Sequence, residues 1–475
     1  VALQALVQVF EQYIQQMILN WWKSVYVKAS ILSIILLVSC ARTQTISEFD
    51  NVDSEQTSSK EKPSTQVEYF KENSLRFENH RYVESIKTVQ MYRTGDPISD
   101  PVIGLSQGQA LELHFDELGT DLENYYYRLY HCNADWQQSD LLSTEYIQGF
   151  LSDAITNYEY SFNTLRQYIH YTVSVPNANM KITKSGNYLL AVMRDDDEEQ
   201  LVLTHRFMVV DNRVAIQPNV RQTAVVAERD FKQLIDFEVH YASFDIANPF
   251  RDIKTVIMQN QRWDNAISDL QPVFLRDKIL EYRYEDGNDF WGGNEYRVFN
   301  VSSVRAATDR IKNIRQMDDY WYVNLATDYK RNLKNHFTWQ DINGNYLIKT
   351  NDGYDDLTES DYVDVHFELA MDSPIDFGGV YIFGALSGRK TDKDFQMTYN
   401  YEEKKYECTV PLKQGYYEYQ YVVLMDKTRE VDFLTIEGSH YETDNEYTIL
   451  IYYRDIRNDY DELIGVRSFS SLDFF

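Results

Sequence analysis

Cysteine is nearly missing from this chain: three in 475 residues, at positions 40, 132 and 408. That argues against a disulfide scaffold, because Cys132 and Cys408 lie far apart and neither has a CxxC partner. Both are expected as buried, inert thiols. Histidine is also sparse, with nine scattered singly, no HExxH and no pair at metal-ligand spacing, so no metal site is expected. No Gly-rich phosphate loop or dinucleotide fingerprint occurs, since Gly292-Gly293 sits between strand-like segments instead of opening a helix. No cofactor is expected. Basic charge is short as well: 46 Lys and Arg against 74 Asp and Glu leave a net charge of −28. A chain of that sign repels nucleic acid and anionic lipid surfaces, so no nucleic-acid partner is expected. Long helical periodicity is absent beyond the first forty residues, with Leu141 to Phe150 able to hold one short helix.

What is present begins with Leu37-Val38-Ser39-Cys40, which has the form of a lipoprotein processing site. Lys23 and Lys28 supply a charged n-region, and Met17 is the expected start. The uncharged run Ala29–Ser39 is too short for the roughly twenty residues of a spanning helix but fits a signal-peptide core. Residues 1–39 are therefore expected as an upstream extension and signal peptide, with lipid carried on Cys40. No acidic cluster follows Cys40, which favours the periplasmic face of the outer membrane, lipid-anchored. Ser47 to Gln66 is polar and too poor in apolar side chains to offset its ordering entropy, making 40–68 a flexible tether.

The body is rich in aromatics, 38 Tyr, 24 Phe and 7 Trp, and low in Gly (18) and Pro (9). Aromatics favour strands. Apolar and polar residues alternate in Leu111-Glu112-Leu113-His114-Phe115, in Phe237-Glu238-Val239-His240-Tyr241 and in Val363 to Leu369, each reading as a half-buried strand. Tyr188 to Met193 and Leu201 to Val210 flank an acidic turn, Asp195 to Gln200, as a hairpin or tight connection. The fold class is mainly β: tandem immunoglobulin-like β-sandwich modules after the lipoprotein signal, divided as 69–212, 213–335 and 336–475. The last piece resembles the early-set domains of glycogen-handling enzymes, although Ala385 to Arg389 lacks their sugar-stacking Trp.

Candidate chemistry is thin. Gly104-Leu105-Ser106-Gln107-Gly108 matches GxSxG, but a strand pattern follows it where a nucleophile elbow needs a helix, so a β-turn is expected. Asp341-Ile342-Asn343-Gly344-Asn345 and Asn351 to Asp356 cluster oxygen ligands, yet the glycine and closing glutamate of a calcium loop are misplaced or missing. Hairpin turns with positive φ at Asn-Gly and Asp-Gly are expected instead. Nothing argues for an enzyme, and no catalytic residue is assigned.

Six segments, in order, carry a family likeness. They are Tyr127 to Trp136 with Glu145 to Phe150; Tyr168-Ile169-His170-Tyr171 with Val175-Pro176-Asn177; Lys184 to Leu190; Gly292-Gly293-Asn294-Glu295-Tyr296-Arg297; Asp341-Ile342-Asn343-Gly344; and Glu437 to Asp444 running into Tyr447 to Arg454. Together they resemble the plug protein family of the type IX secretion system from about Glu84 to Arg454. The resemblance implies a non-catalytic periplasmic subunit that reversibly occludes the periplasmic mouth of that system's giant outer-membrane β-barrel translocon. The barrel and, through the N-terminal lipid, the outer membrane are the implied partners. Exposed aromatics and Arg are the usual interface anchors, which makes Trp136, Trp291, Asn294, Tyr296 and Arg297 the candidate contact residues. The alternatives are a glycan-binding outer-membrane lipoprotein of tandem β-modules and, more weakly, a hydrolase using Ser106 or a carboxylate pair.

Overall fold

Alternating segments need two partners each, one strand beside them and one layer beneath, and in the computed structural model both come largely from distant sequence. The structure describes residues 74–475 apart from Ser243, Ile456 and Asp459. Cys40, the 1–39 leader and the 40–68 tether lie outside the described residues. The described chain is mainly β, with helices of four residues or fewer. Leu141–Phe150 contributes one of them, Ser143–Tyr146, which ends where Ile147 begins a short strand.

Three sandwiches result. In the first, a sheet built on Tyr125–Cys132, Gly186–Arg194 and Leu201–Val210 faces a sheet built on Ile86–Arg93, Leu111–Leu118 and Tyr168–Val175. Leu111, Leu113 and Phe115 point inward from one sheet and Tyr125, Tyr127 and Leu129 from the other. The 186–194 and 201–210 strands form the expected hairpin, Gly186 opposite Val209. The acidic residues of its turn are tied down, Arg128 pairing with both Asp196 and Glu198.

The sheets divide the rest of the chain otherwise than at 335/336. Lys232–His240 and its neighbours face a sheet in which Ile253–Gln259 pairs with Glu446–Tyr453, and that strand with Glu462–Ser470. The second sandwich therefore takes its last two strands from the end of the chain. The third is inserted between Trp291 and Glu446. There Arg297–Asn300, Tyr346–Ile348 and Gly378–Phe383 pair with Gly415–Met425, over a sheet holding Trp321–Leu325, Tyr362–Ala370 and Lys405–Lys413. Gly415 sits where the chain changes sheet, and a Cβ there would lie 2.4 Å from the Leu347 carbonyl oxygen.

Two strands have both faces buried. Tyr188, Leu190 and Val192 enter the first core, whereas Leu189 packs outward with Met208 and Cys132. Likewise Tyr447, Ile449 and Ile451 enter the second core while Leu450 and Tyr452 meet Leu189 and Met208. The first two sandwiches thus stack sheet on sheet as four layers. Strands buried on both faces read as near-continuous apolar runs, as Tyr188 to Met193 does. Burial pushes the thiols up, Cys132 to about 12 and Cys408 to about 11. Among the described residues no helix is long and apolar enough to cross a membrane.

Candidate functional site

The five proposed contact residues occupy different surroundings from those expected of a free surface. Trp136 is 5% exposed, edge-on to Trp263 at 5.1 Å, with the Arg206 guanidinium 4.3 Å above its ring. Asn294 is buried and donates from Nδ2 to the Glu437 carbonyl at 2.9 Å. Tyr296 is buried against Gly344, whose φ of +76° and missing Cβ leave room for its ring. Arg297 is buried between Glu437, 3.0 Å, and Asp328, 2.7 Å. A polar side chain can be interior when an opposite charge is delivered to it, and Glu437 comes from 140 residues away. Trp291 differs: it is 36% exposed, with the Lys232 ammonium 4.8 Å over its ring. Of the five, it is the one able to offer a partner substantial area without opening the fold.

What the structure does bring together is the set of motif segments, at the joints between sandwiches. Chain crosses from the second to the third sandwich through Gly292 to Arg297 and returns through Glu437 to Asp444, and the two crossings bind each other. His440 N–H donates to the Gly293 carbonyl at 2.8 Å, and the Thr443 hydroxyl to the same oxygen at 2.9 Å. A Cβ on Gly292 would sit 2.0 Å from the His440 oxygen, so only glycine fits. Arg331 adds a second guanidinium to Glu437 at 2.7 Å. Burial pushes the Glu437 carboxyl up, but Arg297 and Arg331 outweigh it and hold it at about 2.

The Asp341–Gly344 segment belongs to the same joint. Asn343 and Gly344 take positive φ, 53° and 76°, as a turn requires. Their turn receives a carboxyl group from within the protein: the N–H groups of Ile342 and Gly344 donate to the buried Glu418 side-chain oxygens at 2.9 and 3.0 Å. Burial, with the nearby Asp341 charge, pushes Glu418 up to about 8, and burial pushes Asp341 itself to about 6. The other oxygen-rich loop departs from expectation. Asp352-Gly353 turns without positive φ, and Asp352 accepts from Val304 N–H at 2.7 Å and from Gln414 Nε2 at 3.0 Å.

The first and third sandwiches meet at Asp116, which is fully buried. Its carboxylate accepts from His170 Nδ1 at 2.6 Å, from the Tyr362 hydroxyl at 2.7 Å and from Lys413 Nζ at 2.7 Å. Burial pushes Asp116 up and drags Lys413 down. For Asp116 the Lys413 and His170 partners win, keeping its carboxyl below the ordinary range. Arg166 forks onto Asp364 nearby, at 2.6 and 3.2 Å. Between the first and second sandwiches the polar links include Asp461, which accepts from Ala134 N–H at 3.0 Å and donates its own N–H to Asn133 Oδ1 at 3.1 Å, Tyr452, which donates to Asn187 at 2.8 Å, and Thr448, which donates to Asp100 at 3.3 Å.

Other candidate chemistry resolves into structure. Gly104–Gly108 is a turn leading into the strand Leu111–Leu118, with Ser106 at φ 61°. His366, Glu368 and Glu407 offer ligand atoms within 4.8 Å of one another, but Lys405 Nζ lies 2.8 Å from Glu368 and 3.0 Å from Glu407, so an ammonium bridges the two carboxylates.

Residues 86–211 match the family model for the type 9 secretion system plug protein 1st domain. That span covers nearly all of the first sandwich. A crystal structure of a hypothetical protein from Parabacteroides merdae ATCC 43184 is similar over 84% of this chain and 100% of that one, at 36% identity and a TM-score of 0.81. The partial N-terminal region of Enterococcal surface protein aligns over 87% of this chain and 97% of its own at 8% identity, with a TM-score of 0.17 that carries nothing about shape. No curated protein matches.

Proposed function

This chain belongs to the type IX secretion system plug protein family, and from that premise we propose that it reversibly occludes the periplasmic opening of the system's outer-membrane translocon barrel. In this reading it is a non-catalytic, periplasmic subunit held near the barrel by lipid on Cys40. A pore wide enough for folded cargo leaks solutes between transport events unless a body that keeps its shape fills it. The observation that carries the reading is the fusion of three sandwiches into one unit, Tyr69–Phe475, through joints of buried charge. Strands cross-linked by hydrogen bonds and packed at interior density deform little, which suits a stopper. A lipid tether makes each return to the pore effectively intramolecular.

Co-purification tests it. A tagged chain taken from outer-membrane extracts should bring down a very large barrel protein, and Trp291→Ala should weaken that capture with only a small loss of thermal stability. Recovery of the chain alone, with retardation on polysaccharide gels, would favour the glycan-binding alternative.

A further inference from the structure

Where the three sandwiches meet, a cleft of about 860 Å³ remains, with walls from all three. Small-molecule sites commonly measure about 300–1,000 Å³ and favour such boundaries. Its charge runs against that of the chain. Among the carboxylates lining it, Glu78 is matched by Lys390 at 2.6 Å, Asp264 by Arg262 at 2.6 Å and Asp392 by Arg81 at 3.8 Å. Three lining guanidinium groups, Arg206, Arg389 and Arg429, make no ion pair among the described residues.

Their hydrogen bonds are also incomplete. Arg206 gives Nε and Nη2 to the Phe77 carbonyl, and Arg389 gives Nε to the Asn260 carbonyl at 3.0 Å and Nη2 to Asn345 Oδ1 at 2.6 Å, leaving Nη1 of each without an acceptor among the described residues. Arg429 donates from its backbone alone. Burial pulls Arg206 down to about 10 and Arg389 below its ordinary value; Glu78 near Arg206, and Asp100 and Glu446 near Arg389, offset that desolvation cost only in part, and both groups stay charged at neutral pH. A second, independent observation points the same way. The Trp136 indole is 95% withdrawn from solvent, judged by its 5% exposure, lines the cleft, and has a buried Nε1–H with no acceptor. Buried donors of this kind are rarely left unpaired.

The remaining wall is apolar. Trp136 and Trp263 stand edge-on, and Met91, Met258 and Phe383 continue the surface. One acceptor faces the donors: Asp100 Oδ1, buried without a donor, on a carboxyl that burial pushes up. Protonated, that group becomes another donor to an incoming anion.

We propose that this cleft binds a small organic anion, an acidic head on an aromatic or aliphatic body, with Arg206, Arg389 and Arg429 receiving the head and Trp136 and Trp263 the body. Because the walls come from three sandwiches, the bound anion ties them together, and binding to the folded state alone raises thermal stability.

The test uses the purified chain and two fluorescent probes differing by a sulfonate: 8-anilinonaphthalene-1-sulfonate and the neutral N-phenyl-1-naphthylamine. The sulfonate probe should bind saturably at a single site and raise the melting temperature. Arg429→Glu, at an exposed side chain with no partner among the described residues, should weaken it about tenfold or more while leaving the neutral probe unchanged. Trp263→Ala should weaken both probes. Displacement by decanoate assigns a carboxylate head, and displacement by inorganic phosphate assigns a phosphate. Equal binding of the sulfonate probe to Arg429→Glu and the parent, absence of saturable binding, or displacement by neither competitor would overturn the proposal.

Discussion

The joint between the first two sandwiches and the joints made with the third are built by opposite means. The former is an apolar layer, Leu189 and Met208 against Val256, Leu450 and Tyr452, edged by a few hydrogen bonds. The latter rest on buried charge: Asp116 with Lys413 spans the first and third sandwiches, and Glu437 with Arg297 and Arg331 clamps the two crossings together where they enter the third. Apolar area supplies stability but tolerates sliding, because any comparably shaped surface fits. A buried ion pair supplies little net stability, yet a displacement strands a charge in low dielectric. The first joint therefore holds the stack together, and the others fix the angle at which the inserted sandwich stands.

The largest effect that would break this comparison is at Lys413. Lys413→Met should cost about 3–5 kcal/mol in urea unfolding, because Asp116 loses its buried partner, and adding Asp116→Asn should restore most of that loss. An equal loss in single and double variants would mean that packing, not charge, makes the joint. Next comes Leu450→Ala in the apolar layer, expected to cost about 2–4 kcal/mol with the same value at pH 5 and pH 8.

A pH profile of the melting temperature sharpens the contrast. Glu437 is held at about 2 in the folded protein against an ordinary 4.5, so its contribution is complete above 4.5 and is lost as pH falls toward 2. His114, which burial drags to about 3, acts in the same direction from 6.5 downward. Glu418 is raised to about 8, so its contribution is complete below 4.5 and is lost as pH rises toward 8. Stability should decline on both sides, and Glu418→Gln should make the alkaline arm shallower without changing the acid arm, the remaining alkaline slope coming from Glu295, also raised to about 8. The smallest effect is Trp291→Ala, about 0.5–1 kcal/mol for the ring's contact with Lys232, set against a larger loss of partner capture.

Much of the fold is readable in the chain because alternation is a local signal. Leu111 to Phe115 and Val363 to Leu369 are strands, and the 188–210 hairpin announces itself through its acidic turn. The insertion of the third sandwich is not readable in that way. Alternation is a property of one segment, and nothing local to Ile253–Gln259 names Glu446–Tyr453 as its neighbour nearly two hundred residues on. A hint did exist: Tyr447 to Tyr453 is too apolar for a strand with one wet face. The burial of four of the five candidate contact residues escapes the sequence for a related reason. Asn294 and Arg297 look like surface in sequence, and only the return of Glu437 makes an interior place for them.

The central claim is that these joined sandwiches stop a pore, and envelope permeability tests it most directly. Deleting the gene in a cell that carries the secretion system should raise uptake of a small antibiotic that the intact outer membrane excludes, and the parent chain should restore the barrier while Lys413→Met restores it only in part. An unchanged barrier after deletion, in cells whose translocon is present, would contradict the account.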